Sequence, residues 1–309
     1  MPFKHNYCKF SIPWLPVCPQ WRTLRRILNT NLISSNKLDV NQHLRSQKVK
    51  ELIAYCTKCS QEVEALDVGQ VTFKTNLNLL SNTLFSKDLA DPFSDSKVEL
   101  KDVIWGIMNE LGKPNLVDFY PILEKIDLQG IRRRTPLILD LFGAATDTTT
   151  STVEWAMAEI LKQPEIMKKA QIELVEIIGE GISVEEADVS LLPYLQCIIK
   201  ETLRMHPPVP LLVPRKVEQD VELCSYIIPK GSQVLINLWA IGRDVNFWED
   251  PLMFKPERFW SSNLDIKGQD FELIPFGVVA PCNKHASHAP SYGASMRYGM
   301  RRMLHCDGK

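Results

Sequence analysis

The 309-residue sequence lacks a charge excess of either sign, a long apolar run and a secretory leader. Its 36 lysines and arginines face 37 acidic residues, so the formal net charge is −1 and nothing indicates a nucleic-acid partner. No run of 18 apolar residues is present, and we therefore expect no transmembrane helix. The opening residues MPFKHN are not typical of a signal peptide, so cytosolic synthesis is expected for the chain as given.

The sequence also has no cysteine framework of the secreted type. Its eight cysteines lie mostly in apolar or helical surroundings, which is typical of reduced thiols in an intracellular protein. Cys56 and Cys59 form one CxxC pair, but zinc would need a second pair at suitable spacing, and none is present. We therefore interpret this pair as two cysteines of a helix.

The apolar periodicity predicts a chain that is mainly α with a small β region. Helical spacing dominates up to about residue 205, and short β-type runs follow it. The predicted helices cover residues 40–64, 71–84, 96–111, 136–161, 164–178 and 193–205. The predicted strands cover residues 221–223, 226–228 and 234–239.

One predicted helix contains a run that helix propensity does not explain. Residues 146–152 consist of six hydroxyl residues and Asp147, all of which compete for backbone hydrogen bonds, and apolar helical sequence continues on both sides. A polar helix face or a helix start capped at Asp147 is one interpretation. A local opening of the helical hydrogen-bond ladder beside a ligand is the other.

Three charged residues further along the chain predict a structural ion network. Glu201 and Arg204 are three residues apart on one helix face, where an ordinary surface ion pair would contribute little. Arg258 lies between a proline and aromatic residues, which indicates partial burial. Together they predict a bidentate network that fixes a loop against a helix.

Four motifs, in this order, resemble those of the cytochrome P-450 family of haem-thiolate monooxygenases. They are WRTLR at 21–25 for WxxxR, AATDTT at 144–149 for AGxDTT, ETLR at 201–204 for ExxR and PERF at 256–259. The resemblance covers residues 11–277, and the sequence around 155–160 and 204–210 resembles plant microsomal members that hydroxylate monoterpenols such as geraniol. It implies an incomplete cytochrome P-450 fold over residues 1–277.

The resemblance also implies a haem cofactor and residues that serve it. Asp147 and Thr148 would be the catalytic acid–alcohol pair on the oxygen side, which explains the hydroxyl-rich run. Trp21, Arg25 and Arg215 would bind the haem propionates, since an arginine fork suits a carboxylate. An exposed arginine at a strand edge is the alternative for Arg215.

Further residues are implied for the substrate and the redox partner. Ala144, Val209 and Leu212 would contact a small apolar, terpenoid-like substrate, with ordinary core packing as the alternative. The family uses O2 and an NADPH-cytochrome reductase at the endoplasmic reticulum membrane. The basic residues of the first motif could dock that reductase or form a solvated helix face. The family's anchor helix and first sheet have no counterpart in this sequence, so a cytosolic location is the alternative.

The sequence departs from the family pattern inside the matched region. A helical stretch of several tens of residues is expected near 134–139 and is missing there, with part of the roof over the substrate. The glycine of AGxDTT is replaced by Ala145, which is a minor change.

The most severe departure concerns the haem ligand. The family pattern Phe-x-x-Gly-x-x-x-Cys-x-Gly, counted from Phe276, meets Val279, Asn283 and His285 in place of glycine, cysteine and glycine. Cys282, the candidate metal ligand, lies one residue early. Residues 278–309 are predicted to be an aberrant, disordered tail, as a shifted reading frame would produce.

These observations leave three hypotheses. The first is a haem-dependent monooxygenase that inserts one oxygen atom into a small apolar substrate. The second is a catalytically inactive remnant, at most a non-catalytic apolar binder. The third adds zinc to the tail, through the residues Cys282, His285, His288, His305 and Cys306, whose spacing matches no standard module.

Overall fold

A computed structural model describes residues 18–31, 34–91, 137–182 and 184–277. The predicted helix over 96–111, the residues before the junction at 134–139 and the tail 278–309 lie outside these ranges. The chain separates into two compact units whose boundary falls between Thr150 and Ser151, inside one long helix. The two units are described in turn.

The described part of the first unit is built from helices. They are α1 (Pro19–Asn31), α2 (Ser35–Val40), α3 (Gln42–Glu62), α4 (Val68–Phe85) and the first part of α5 (Leu137–Lys162). The carboxylate of Asp67 caps α4 by accepting a hydrogen bond from the backbone N–H of Gln70 at 2.8 Å. The predicted helices over 40–64, 71–84 and 136–161 are confirmed to within three residues.

The core of the first unit is organised by α4. Phe73, Leu77 and Leu80 recur at helical spacing along one face of this helix and are buried together with Ala90 and Phe142. Complete burial of a leucine or phenylalanine side chain stabilises a fold by about 1.5–3 kcal/mol. The apolar stripe of α4 is therefore a principal source of stability in this unit.

A buried amide, Asn78, ties the segment after α4 to that helix. Its side-chain nitrogen donates to the carbonyl of Ala90 at 2.6 Å, and its oxygen accepts from the N–H groups of Leu89 at 3.0 Å and Ala90 at 2.9 Å. The Asn78 side chain is fully buried. The three hydrogen bonds hold Ala90 in the core.

The described part of the second unit is a mixture of helices and short strands. Its elements are the rest of α5, α6 (Pro164–Ile177), a 3-10 helix (Glu186–Leu191), α7 (Pro193–Met205), β1 (Arg215–Lys216), β2 (Val221–Leu223), β3 (Tyr226–Ile228), β4 (Gln233–Val234), α8 (Leu238–Ile241) and a second 3-10 helix (Pro256–Phe259). The strands form two antiparallel pairs, β1 with β4 and β2 with β3. The mainly α fold with a small β region is confirmed.

The predicted strand over 234–239 is wrong beyond its first residue. Strand β4 ends at Val234, and the chain enters α8 at Leu238. The side chain of Asn237 accepts a hydrogen bond from the N–H of Ala240 at 3.0 Å and so caps this short helix. The cap overrides the β preference of the neighbouring branched and aromatic side chains.

Helix α7 lies between two apolar clusters of the second unit. Ile198 and Met205 pack with Phe254 on one side, and Cys197 packs with Trp248 on the other. In the described ranges, none of the helices combines the length and the apolar character needed to span a bilayer.

We predict that Asn78→Ala destabilises the protein by about 2–4 kcal/mol, because two N–H groups and one carbonyl lose their buried partner. The measurement is the midpoint of urea unfolding followed by circular dichroism. Asn76→Ala is the matched control, since Asn76 lies on the same helix and donates only one hydrogen bond, at 3.4 Å, to Thr150. Equal effects of the two substitutions would contradict the assigned role of Asn78.

Candidate functional site

The charged pair predicted on α7 lies in the interior of the second unit. Glu201 is 0% exposed and Arg204 is 1% exposed, so the alternative of a surface ion pair is excluded. The Nε of Arg204 donates to Oε2 of Glu201 at 2.7 Å, and Nη2 donates to Oε1 at 2.7 Å. This bidentate geometry is the strongest form of an arginine–carboxylate contact.

The structure brings the third predicted member, Arg258, to the same carboxylate. Its Nε donates to Oε1 of Glu201 at 3.1 Å, and the backbone N–H of Lys255 donates to that oxygen at 2.8 Å. The Nη1 of Arg258 donates to the carbonyl of Glu249 at 2.9 Å. One buried carboxylate therefore joins α7 to the PERF turn.

The remaining donors of Arg204 hold a loop that follows α8. Nη1 donates to the carbonyls of Gly242 and, at 2.8 Å, Pro251, while Nη2 reaches the carbonyl of Met253 at 3.3 Å. The guanidinium also lies 5.2 Å from the ring centroid of Trp248. Arg204 thus organises a long stretch of chain that has little regular secondary structure of its own.

Sequence reasoning missed a glycine that this arrangement requires. A Cβ atom added at Gly242 would overlap the backbone carbonyl oxygen of Arg204. The backbone of Gly242 has φ −66°, which any residue can adopt, so the requirement is one of space and not of conformation. No motif marks this position, because the close approach exists only after the loop has folded onto α7.

Arg215 lies beside the start of the segment that should carry the haem ligand. A Cβ atom at Gly277 would lie 3.3 Å from Nη2 of Arg215 and 3.6 Å from Cδ1 of Leu212, and Gly277 itself has φ +82°. The left-handed backbone favours glycine there, and a Cβ atom would also make the Arg215 side chain shift by a few tenths of an ångström. Arg215 lies in β1 and is half-buried, so it is not the fully exposed arginine of the predicted alternative.

The guanidinium of Arg215 has spare hydrogen-bonding capacity. Its Nε is buried and has no hydrogen-bond partner among the described residues. Burial lowers the pKa of Arg215 from its ordinary value, because the charged form loses hydration. A half-buried arginine with a buried, unpartnered Nε is suited to an anionic group that supplies the missing acceptor.

Trp21 and Arg25, the other predicted propionate partners, lie one turn apart on α1 in the first unit. The guanidinium carbon of Arg25 is 5.2 Å from the ring centroid of Trp21. Burial lowers the pKa of Arg25 as well. The stacking holds the arginine fork against a rigid aromatic plane.

The hydroxyl-rich run lies in an uninterrupted part of α5, so the interpretation as a local opening of the helical hydrogen-bond ladder is not supported. The hydroxyl of Thr148 donates to the carbonyl of Ala144, one turn earlier, at 2.6 Å. This bond lets threonine stay in a helix without breaking it. Thr146 is fully buried, and its hydroxyl has no partner among the described residues. Asp147 is half-buried.

The predicted substrate residues differ in exposure. Ala144 is buried in the first unit, while Val209 and Leu212 are half-buried in the second. Leu212 has φ +50°, a strained backbone conformation for a branched-chain residue. The candidate iron ligand Cys282 and the possible zinc ligands of the tail lie outside the described residues.

A sequence model with the description Cytochrome P450 matches residues 7–136 and 135–278, which is most of the chain. The chain belongs to the cytochrome P450 family.

Curated cytochrome P450 relatives are similar over most of the chain. Geraniol 8-hydroxylase from Catharanthus roseus is 54% identical over 326 residues, and geraniol 8-hydroxylase from Swertia mussotii is 53% identical over 326 residues. Each match covers 89% of this chain and 66% of the relative. The chain therefore spans slightly less than two thirds of the length of these relatives.

Solved cytochrome P450 structures share the fold. A zebra fish cytochrome P450 in a structure with progesterone superposes with a TM-score of 0.70 at 23% identity, covering 96% of this chain and 76% of that one. A second zebra fish structure, with abiraterone, gives a TM-score of 0.65. At this level of identity the likeness concerns the fold alone, and the fold of this chain is an incomplete cytochrome P450 fold.

We predict that Gly242→Ala destabilises the protein by more than about 3 kcal/mol, because the new methyl group forces α7 and the loop apart. Gly231→Ala is the control. Gly231 has φ +88°, and a Cβ atom added there would have no other atom within 4 Å. The substitution therefore costs only backbone strain of about 1 kcal/mol. Chemical unfolding followed by tryptophan fluorescence compares the two, and a smaller effect at Gly242 would contradict the close contact.

We predict that Glu201→Gln costs about 3–5 kcal/mol, because two buried guanidinium groups lose their shared counter-charge. Glu257→Gln is the matched control. Its ion pair with Lys169 is about half exposed on both sides and contributes little. Thermal unfolding of the two variants gives the comparison; similar melting temperatures would show that the buried network is not the stronger one.

Proposed function

We propose that the protein is a haem-dependent monooxygenase that inserts one oxygen atom of O2 into a small apolar, terpenoid-like substrate. The observation that carries this proposal is the contact between Arg215 and Gly277. Burial partly desolvates the guanidinium of Arg215, and its Nε finds no hydrogen-bond partner among the described residues, while Gly277 directly precedes the segment proposed to carry the haem ligand. Haem carries propionate groups, and a carboxylate is the acceptor that an arginine fork fits best.

The residues that would hold the cofactor fit it where they are described. In the second unit Arg215 would bind one propionate, and in the first unit Trp21 and Arg25 would supply partners through the stacked guanidinium. When bound, haem supplies the activation of O2. The chain's own residues bind the cofactor, exclude water and move protons.

Proton delivery is proposed for the acid–alcohol pair of α5. Thr148 already makes a hydrogen bond to the helix backbone, and rotation about χ1 would turn the same hydroxyl toward a ligand. Asp147, half-buried, can exchange protons with solvent and pass them to its neighbour. Ala144 in the first unit and Val209 and Leu212 in the second are proposed to contact the substrate.

The substrate class rests on the relatives. Proteins about half identical to this chain carry the name geraniol 8-hydroxylase, which describes hydroxylation of a monoterpenol. We extend only the class, a small apolar terpenoid, to this chain. An NADPH-cytochrome reductase at the endoplasmic reticulum membrane is the proposed electron source. The exposed arginines Arg22 and Arg26 of α1 offer it basic groups.

A segment near 134–139 is proposed to be missing relative to these enzymes. The alignment with the Catharanthus protein runs over 326 positions, whereas 89% of 309 residues is only about 275, so about 50 positions have no counterpart. The two family matches meet at residues 135 and 136, which supports this position for the gap.

The second candidate function is a catalytically inactive remnant that at most binds apolar molecules. The observation in its favour is that the family match ends at residue 278, before Cys282. Cys282 is the proposed iron ligand, but it stands one residue out of the family register. The two candidates differ in one measurable property, thiolate ligation of haem.

The test is haem titration of the purified full chain, followed by reduction and addition of carbon monoxide. The first candidate predicts haem uptake and the Soret position of a thiolate-ligated complex. Arg215→Ala should weaken haem binding by about 10–100-fold through loss of a charge-assisted hydrogen bond, and Arg215→Lys by less. Arg243→Ala, at another half-buried arginine, is the control and should leave affinity unchanged.

The other outcomes separate the candidates. Absence of haem uptake supports the inactive remnant. Haem uptake with the Soret position of a nitrogen-ligated complex would rule out Cys282 as the iron ligand and, with it, the monooxygenase proposal for this chain.

A further inference from the structure

His206, the first residue after α7, is held against α5 within the second unit. Its ring stacks on Trp155 with the centroids 4.0 Å apart and the planes 4° from parallel. Its Nε2 lies 3.0 Å from Oε1 of Glu159. Trp155 and Glu159 are one turn apart on α5, so one helix face contacts both the plane and the edge of the same ring.

The surroundings favour the neutral form of this imidazole. The side chains of His206 and Glu159 are 14% and 10% exposed. Burial lowers the pKa of His206, and the positive charges of Arg243 and Lys162 act in the same direction, whereas Glu159 opposes them. Since a carboxylate only accepts, the neutral ring donates its Nε2–H to Glu159.

The segment that begins at His206 is stiff. Four of the eight residues from 207 to 214 are prolines, whose rings fix φ. The carbonyl of Pro210 accepts from the N–H of Leu238 at 2.8 Å, and that of Leu211 accepts from Ile236 at 3.3 Å. A displacement at one end of such a segment passes along it, because few backbone torsions are free to absorb it.

The same segment contains the strained residue Leu212. Its φ of +50° is costly for leucine and persists only where the flanking structure holds it. On the C-terminal side the pairing of β1 with β4 fixes Arg215 opposite Val234. On the N-terminal side the segment continues directly from α7, where the N–H of His206 donates to the carbonyl of Thr202 at 2.7 Å, and the side chain of His206 adds the contacts with α5.

We propose that His206 is a positioning residue, which acts through its stack on Trp155 and its hydrogen bond to Glu159 to set the place of residues 207–214. Through that segment it positions Val209, Leu212 and Arg215. The importance of those three side chains for substrate and haem rests on the proposed function, whereas the positional role itself does not.

The first test is hydrogen exchange, measured by mass spectrometry on the full chain without added haem. His206→Ala should speed exchange of the backbone amides of Leu212, Ile236 and Leu238 by about tenfold, since it removes one hydrogen bond and one ring stack. Exchange in α6, in the same unit, should not change. His43→Ala, at an exposed histidine of α3, is the matched control.

Conservative variants separate positioning from general stability. His206→Phe keeps the stack and His206→Gln keeps a donor for Glu159, so each should restore part of the protection that His206→Ala loses. Unchanged exchange at 207–216 in His206→Ala, or faster exchange throughout the second unit in all three variants, would overturn the proposal.

The second test reads the contact directly through tryptophan fluorescence. A protonated imidazole quenches an indole on which it stacks, so the wild type should show a pH transition with its midpoint below the ordinary histidine value of 6.5. Trp155→Phe should abolish this transition. Glu159→Gln should move the midpoint further down, because it removes the charge that favours protonation. A transition that survives Trp155→Phe would contradict the contact.

Stability should follow the same titration. The folded pKa of His206 lies below the unfolded one, so its neutral form contributes fully above pH 6.5. That contribution is lost as the pH falls from this value to the lowered pKa. Neither the hydrogen-exchange test nor the fluorescence test requires haem. Their failure would therefore leave the proposed monooxygenase standing, and failure of haem uptake would leave the role of His206 standing.

Discussion

A single buried carboxylate, that of Glu201, determines the arrangement of much of the second unit. Two guanidinium groups and one backbone N–H converge on it; Arg204 lies on the same helix, and Lys255 and Arg258 belong to the PERF turn more than 50 residues later. A buried charge without a partner costs several kcal/mol, so none of these groups can leave without a penalty to the others. The network therefore acts as one cooperative element.

This cooperativity suits a region with little regular secondary structure. From Gly242 to Met253 the chain has few backbone ladders, and the donors of Arg204 replace them by binding three carbonyl groups. Buried arginine is well adapted to this task because its five donors are fixed in one plane. Position 242 requires glycine because the loop held by Arg204 lies too close to the backbone of that residue for a Cβ atom to fit.

Sequence reasoning identified the elements and the ion network, but not the spatial relations that complete them. Helical periodicity placed the helices well because it reports the burial of one face. The end of β4 was missed because a single side-chain cap, that of Asn237, outweighed local β preference. Gly242 could not have been found, because its neighbour is 38 residues away along the chain.

The hydroxyl-rich run of α5 had two interpretations from the sequence, a polar or capped stretch of helix and a local opening of the helix beside a ligand. The structure shows a continuous helix in which the hydroxyl of Thr148 donates to the carbonyl of Ala144. Threonine can satisfy its hydroxyl inside a regular helix, so composition alone does not report distortion.

The desolvated guanidinium of Arg215 has a consequence for the amount of protein in a cell. A folded chain that partly desolvates this charge is stabilised whenever an anion binds there, and by mass action the unfolded fraction falls as the concentration of that anion rises. Proteases degrade mainly unfolded chains. If haem is the anion, cellular haem supply would control how long the polypeptide survives.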